Sequence, residues 1–168
     1  GIIGSPTVAV AHIEKMYSYF NGYTPNGTVA VIETDEGIMI RGTLVGLPPN
    51  EVHGFHIHSG VSCDDFGNHY WPWNGNLDDD GGDGDPWAGL NYVSDANGVS
   101  SFSAPMLDFS LADHHPVAGR VLVVHGTLDS GKIGCGIIES TPGEVVHMDI
   151  YPGYDGNAQG FSAQNFSG

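Results

Sequence analysis

Gly54-Phe55-His56-Ile57-His58-Ser59-Gly60 is the stretch from which the chain is read. Successive side chains of a β-strand alternate between its faces, so His56 and His58 project from the same face and can grip one metal ion. Such a pair calls for further ligands nearby. Two more imidazoles are at hand, His69 in Gly67-Asn68-His69-Tyr70 and His125 at the end of Gly119-Arg120-Val121-Leu122-Val123-Val124-His125. Four imidazoles form a nitrogen-only donor set suited to copper or zinc.

Around this stretch, short β-rich runs recur between turn residues. Residues 7–13, 28–33, 38–47, 52–59, 99–104, 120–125, 136–138 and 144–150 read as eight strands. Asn26-Gly27, Glu36-Gly37, Pro48-Pro49-Asn50 and Asn97-Gly98 mark turns, and 26 glycines with ten prolines argue against long helices. Only residues 12–20 could hold a short helix. Brief strands with frequent turns predict an antiparallel sandwich or barrel whose ends and loops present the metal-binding groups. The chain is expected to form a single domain over residues 1–168, with a polar tail from about residue 151.

Formal charge is −16, from 20 acidic residues against four basic ones, Lys15, Arg41, Arg120 and Lys132. Nucleic acid and anionic membranes are thereby disfavoured, and cations are the expected company. No run approaches the roughly eighteen apolar residues of a membrane span, and Gly1-Ile2-Ile3-Gly4 lacks the blocks of a signal peptide, so a soluble, trimmed mature chain is expected. The segment 70–89 is a long irregular loop holding Trp71, Trp73 and Trp87. Its tryptophans either anchor it to the barrel or form a recognition surface. Its acidic run, Asp78-Asp79-Asp80-Gly81-Gly82-Asp83-Gly84-Asp85, is either a solvated loop or a site for divalent cations, though its spacing does not meet the calcium-loop template.

Cys63 follows the histidine pair and Cys135 sits ten residues after His125. Either they pair or they stand as two buried thiols. A bridge would close a loop of about 72 residues, stabilise the fold by roughly 4 kcal/mol and suit an oxidising compartment, hence a secreted, periplasmic or cell-surface location.

Taken together, His53-Gly54-Phe55-His56-Ile57-His58, Cys63, Gly67-Asn68-His69-Tyr70-Trp71-Pro72, Gly119-Arg120-Val121-Leu122-Val123-Val124-His125 and Gly134-Cys135-Gly136-Ile137-Ile138 resemble the copper/zinc superoxide dismutases, in the family's own order, over residues 28–138. The resemblance implies an all-β fold, an eight-stranded antiparallel Greek-key β-barrel of immunoglobulin-like sandwich character, with long loops and a C-terminal extension. It further implies copper held by His56, His58, His69 and His125, a Cys63–Cys135 disulfide, and superoxide as substrate.

Three departures from the family pattern resemble its copper-only branch. The zinc half-site needs two more histidines and an aspartate after the bridging histidine, yet residues 70–98 hold no histidine, so zinc is expected to be absent. Only nine residues separate His125 from Cys135, far fewer than the usual loop that walls and guides the copper channel, so the copper face should be open. Where the family carries an arginine three positions before the second cysteine, this chain has Lys132.

The counterpart of His69 in zinc-bearing members bridges both metals and takes a proton when copper is reduced, which the resemblance implies for His69 as its catalytic part. Without zinc, the far nitrogen of His69 needs another partner, and carboxylates serve that role in metal sites. Asp85 and Asp83 are the candidates. Lys132 would offer a positive charge to superoxide, with looser docking than the planar fork of an arginine allows, unless it is an ordinary turn lysine. His53 reads as a structural hydrogen-bonding residue, Arg120 as a loop brace, and His12, His114, His115 and His147 as surface or core positions. The rival reading is a noncatalytic acidic extracellular protein that binds copper or other cations on the same scaffold. Oligomeric state is open.

Overall fold

A computed structural model describes residues 8–15, 22–71, 84–126 and 131–140. Among them run eight strands: β1 (Val8–Lys15), β2 (Asn26–Glu33), β3 (Gly37–Val45), β4 (Val52–His58), β5 (Asn91–Val93), β6 (Ser100–Leu107), β7 (Val121–His125) and β8 (Lys132–Ser140). They form one antiparallel sheet in the order β5-β4-β7-β8-β1-β2-β3-β6. Its two end strands lie beside each other, so the sheet is a nearly closed barrel. Consecutive β3 and β4 sit in different parts of the sheet, and β4 pairs with β7, the crossing connectivity of a Greek key.

Inward-facing residues at every second position make the core. Ala9, Ala11 and Ile13 of β1, Val29 and Val31 of β2, Ile38, Ile40 and Leu44 of β3, and Phe55 and Ile57 of β4 are all buried in one cluster. Strand β7 departs from this alternation because both its faces are covered. Leu122 and Val124 enter the main core, while Val121 and Val123 pack beneath Cys63, Phe66 and Cys135. Its unbroken apolar run reflects that double burial. Pro105 lies within β6, at the sheet's end, where a missing main-chain donor is tolerated.

The eight strands are not quite the eight expected from sequence. No helix occupies 12–15, which completes β1; pairing on both sides with β2 and β8 imposes the two-residue period there, and the rest of that expected helix lies outside the described residues. Strand β5 was not anticipated, being three residues long. Strand β8 extends well beyond 136–138 in both directions. The strand expected at 144–150, like the tail, lies outside the described residues.

Candidate metal centre

On β4 the inward residues Phe55 and Ile57 alternate with His56 and His58, which face the opposite side of the strand beneath the loops. The chain then turns back on itself. Ser59 N–H donates to Asn68 O at 2.8 Å and Gly60 N–H to Phe66 O at 2.7 Å, closing the loop. Tyr70 N–H donates to Ile57 O at 2.8 Å, so His69 lies directly across from His58. A disulfide between Cys63 and Cys135 ties this loop to β8. Arg120 braces it from below, donating from Nη1 to Ser59 O at 2.7 Å and from Nε to Pro116 O at 3.0 Å, with its guanidinium 3.5 Å from the centre of the Tyr70 ring. His125 arrives from the end of β7, whose register sets Val123 opposite His56.

The four histidines thereby meet. One ligand atom from each of His56, His58, His69 and His125 lies within 4.8 Å of all the others. Ring centres are 4.3 Å apart for His56 and His69, 4.9 Å for His56 and His125, and 5.1 Å for His58 and His69. The ring of His56 folds back over Gly54, where any side chain would collide with its Cε1.

The tautomers follow from the partners. His58 Nδ1 donates to Gly67 O at 2.8 Å, because a carbonyl can only accept, and this leaves Nε2 with its lone pair. His69 Nδ1 donates to Asp85 Oδ2 at 2.6 Å, so its Nε2 is likewise the nitrogen that could ligate a metal. His56 Nδ1 is a buried ring nitrogen that no hydrogen bond satisfies. Burial first, then the neighbouring His69, His125 and His58, push His56 down from 6.5 to about 2, against a main-chain hydrogen bond at Leu90. Four imidazoles brought this close together are a fit donor set for copper or zinc.

Asp85 is buried, and its second oxygen, Oδ1, accepts from Trp87 N–H at 2.8 Å. Trp87 is wholly buried and donates from Nε1 to Tyr70 O at 2.7 Å, anchoring this part of the loop to the barrel. Asp83, Trp73, His147 and the acidic run from Asp78 to Asp83 lie outside the described residues. Lys132 pairs with His125 across the β7–β8 ladder and holds its Nζ 4.8 Å from the centre of the Phe66 ring. His53 Nε2 meets Glu51 Oε2 at 2.5 Å, away from the cluster of four. His12 is exposed on β1, and His114 and His115 pack their rings together in a surface loop. Sequence reasoning missed Tyr92, whose hydroxyl donates to His125 O at 2.6 Å, since no motif marks a lone tyrosine in a three-residue strand.

A Greek-key barrel carrying four convergent imidazoles and a disulfide-tied ligand loop defines a class of metalloproteins built for a redox or Lewis-acid ion. The family model described as copper/zinc superoxide dismutase matches residues 25–143. The chain belongs to that family, a family of oxidoreductases. It is similar to the "Superoxide dismutase [Cu-Zn] 2" of Mesembryanthemum crystallinum, 32% identical over 126 residues, which cover 68% of this chain and 78% of the relative. A shorter stretch of 37 residues is 51% identical to the "Superoxide dismutase [Cu-Zn]" of Escherichia coli K12, covering 22% of this chain and 21% of that one. In fold it is similar to the clock protein EA4, with a TM-score of 0.62 at 21% identity over 84% of this chain and 99% of that structure.

Proposed function

We propose that this family member is a superoxide dismutase that works with copper alone, bound by His56, His58, His69 and His125. The carrying observation is the 2.6 Å bond between His69 Nδ1 and Asp85 Oδ2. It occupies the nitrogen that a second metal would need, with an acceptor that is itself held by Trp87 N–H. The absence of any histidine from residues 70–98 supports the same reading.

Copper bound there supplies a Cu(II)/Cu(I) couple, so that one superoxide gives up an electron and leaves as oxygen while a second gains one and, with two protons, leaves as hydrogen peroxide. The protein's part is positional. Asp85 keeps the proton of His69 on Nδ1 and so directs Nε2 towards the other imidazoles; Nε2 is the atom that takes up and returns a proton in each cycle. Lys132, paired with His125 across the β7–β8 ladder, would offer a positive charge to the incoming anion. The disulfide suits secretion or a cell-surface location.

The test is superoxide decay per bound copper in protein loaded with copper only, with and without added zinc. The expected result is a fast rate that zinc does not raise. A rate that appears only with zinc, or one no better than the apoprotein with one copper firmly bound, would replace this reading, the latter by a copper-binding role.

A further inference from the structure

Two of the four imidazoles stand in regular sheet and two do not. His56 and His58 are set by β4, which pairs with β7 alongside them. His69 follows a loop, and His125 is the last residue of β7, where the register with β8 shifts. A ligand at such a place takes its aim from whatever holds its main chain.

For His125 the ladder partner is Lys132 and the side chain that reaches its main chain is Tyr92. Its hydroxyl donates to the His125 carbonyl at 2.6 Å, from a side chain only 1% exposed. Tyr92 belongs to β5 and is paired with His53 of β4, the strand that carries two other ligands, so its ring is seated on the same frame. The segment from Asp85 to Tyr92 thus reaches both irregular ligands: Asp85 holds the ring of His69, Trp87 holds the carbonyl of Tyr70, and Tyr92 holds the carbonyl of His125. Phenylalanine would fill the same core space, so packing alone does not call for the hydroxyl.

We propose that Tyr92 is a positioning residue of the metal centre, whose hydroxyl fixes the direction of the His125 imidazole through its main-chain carbonyl before any metal arrives. This rests on the reading of the four histidines as copper ligands. With the hydroxyl gone, the buried carbonyl loses this donor, and the end of β7 loses one of the contacts that set its direction. Metal–ligand distances tolerate only about 0.2 Å, so a small turn of that main chain is felt at the metal.

The experiment uses the full chain, freed of metal and titrated with Cu(II), as wild type and as Tyr92→Phe. Wild type should bind one copper with nitrogen hyperfine structure in its electron paramagnetic resonance spectrum; oxygen ligation or no binding there would sink the four-histidine reading itself, whatever Tyr92 does. Given that signal, Tyr92→Phe should keep its β-sheet circular dichroism, show altered copper hyperfine splitting, and bind copper about 10- to 100-fold more weakly in competition with a chelator. A wild-type spectrum and affinity in the variant, even with a lowered melting temperature, overturns the proposal, because a purely structural tyrosine would give that result. Should the phenylalanine chain not fold, 3-fluorotyrosine at position 92 keeps the ring's shape and strengthens the donor. A shifted copper spectrum then supports the role, and an unchanged one overturns it.

Discussion

Asp85 shows what one carboxylate can do when both its oxygens are committed. Oδ2 accepts from the Nδ1–H of His69 and Oδ1 from the N–H of Trp87, so the side chain has little freedom to leave. Asp85→Ala removes both acceptors, and copper affinity and dismutase rate are expected to fall by about 10- to 100-fold, measured by chelator competition and superoxide decay. The need for such a carboxylate was legible in the sequence, because no histidine follows His69 before residue 98. Which aspartate served was not, since an irregular loop has no period to set its register; the Trp87 N–H, two residues on, is what holds Asp85. His56 carries a second prediction. Its imidazole is held near 2 in the fold against 6.5 in the open chain, so between those values the unfolded metal-free protein binds more protons than the folded one. Apoprotein stability should therefore fall as pH drops from about 6.5, by up to about 1.4 kcal/mol per pH unit from this residue, whereas His56→Asn should flatten that slope in urea titrations at several pH values.

The strands were legible in proportion to how strictly they alternate. β2, β3 and β4 follow the two-residue period over most of their length, and their expected bounds lie within two residues of the observed ones. β5 has only Tyr92 buried between exposed Asn91 and Val93, too little pattern to register as an element. β1 could be misread as turning helical at His12 because propensity is local, while the pairing with β2 and β8 that decides the matter is not. The loop between β4 and His69 depends on a different device, the Cys63–Cys135 bridge, which spans 72 residues of chain. That loop also supplies Gly67 O, the acceptor that orients His58. Replacing both cysteines by serine should cost about 2–5 kcal/mol of stability. It should also weaken copper binding, because the freed loop carries the acceptor for His58 and leads directly into His69. Denaturant midpoints and chelator competition on the double variant separate the two effects; a loss of stability with copper affinity unchanged would show that the loop holds its shape without the bridge.

At the scale of the whole molecule, charge sets a conflict. A net −16 repels the superoxide anion, and only four basic residues oppose it. On the proposed reading Lys132 would matter more than its single charge suggests, since it stands opposite His125 in the β7–β8 ladder. The two effects have different ranges: repulsion sums over the molecule and is screened beyond about 8–10 Å at physiological salt, whereas a lysine beside the site acts within that distance. Salt should therefore reveal them separately. Lys132→Ala should lower kcat/KM with copper content unchanged, and the variant's rate should then rise as ionic strength increases from about 10 to 150 mM, because only the repulsion is left to screen. In wild type the same salt weakens guidance and repulsion together, so its rise should be smaller or reversed. Identical salt profiles would mean that Lys132 does not guide the anion and that its charge is spent on the Phe66 ring it faces. Lys132→Arg should restore or exceed the wild-type rate, because a planar guanidinium can hold a small anion through two parallel hydrogen bonds where an ammonium offers a point charge.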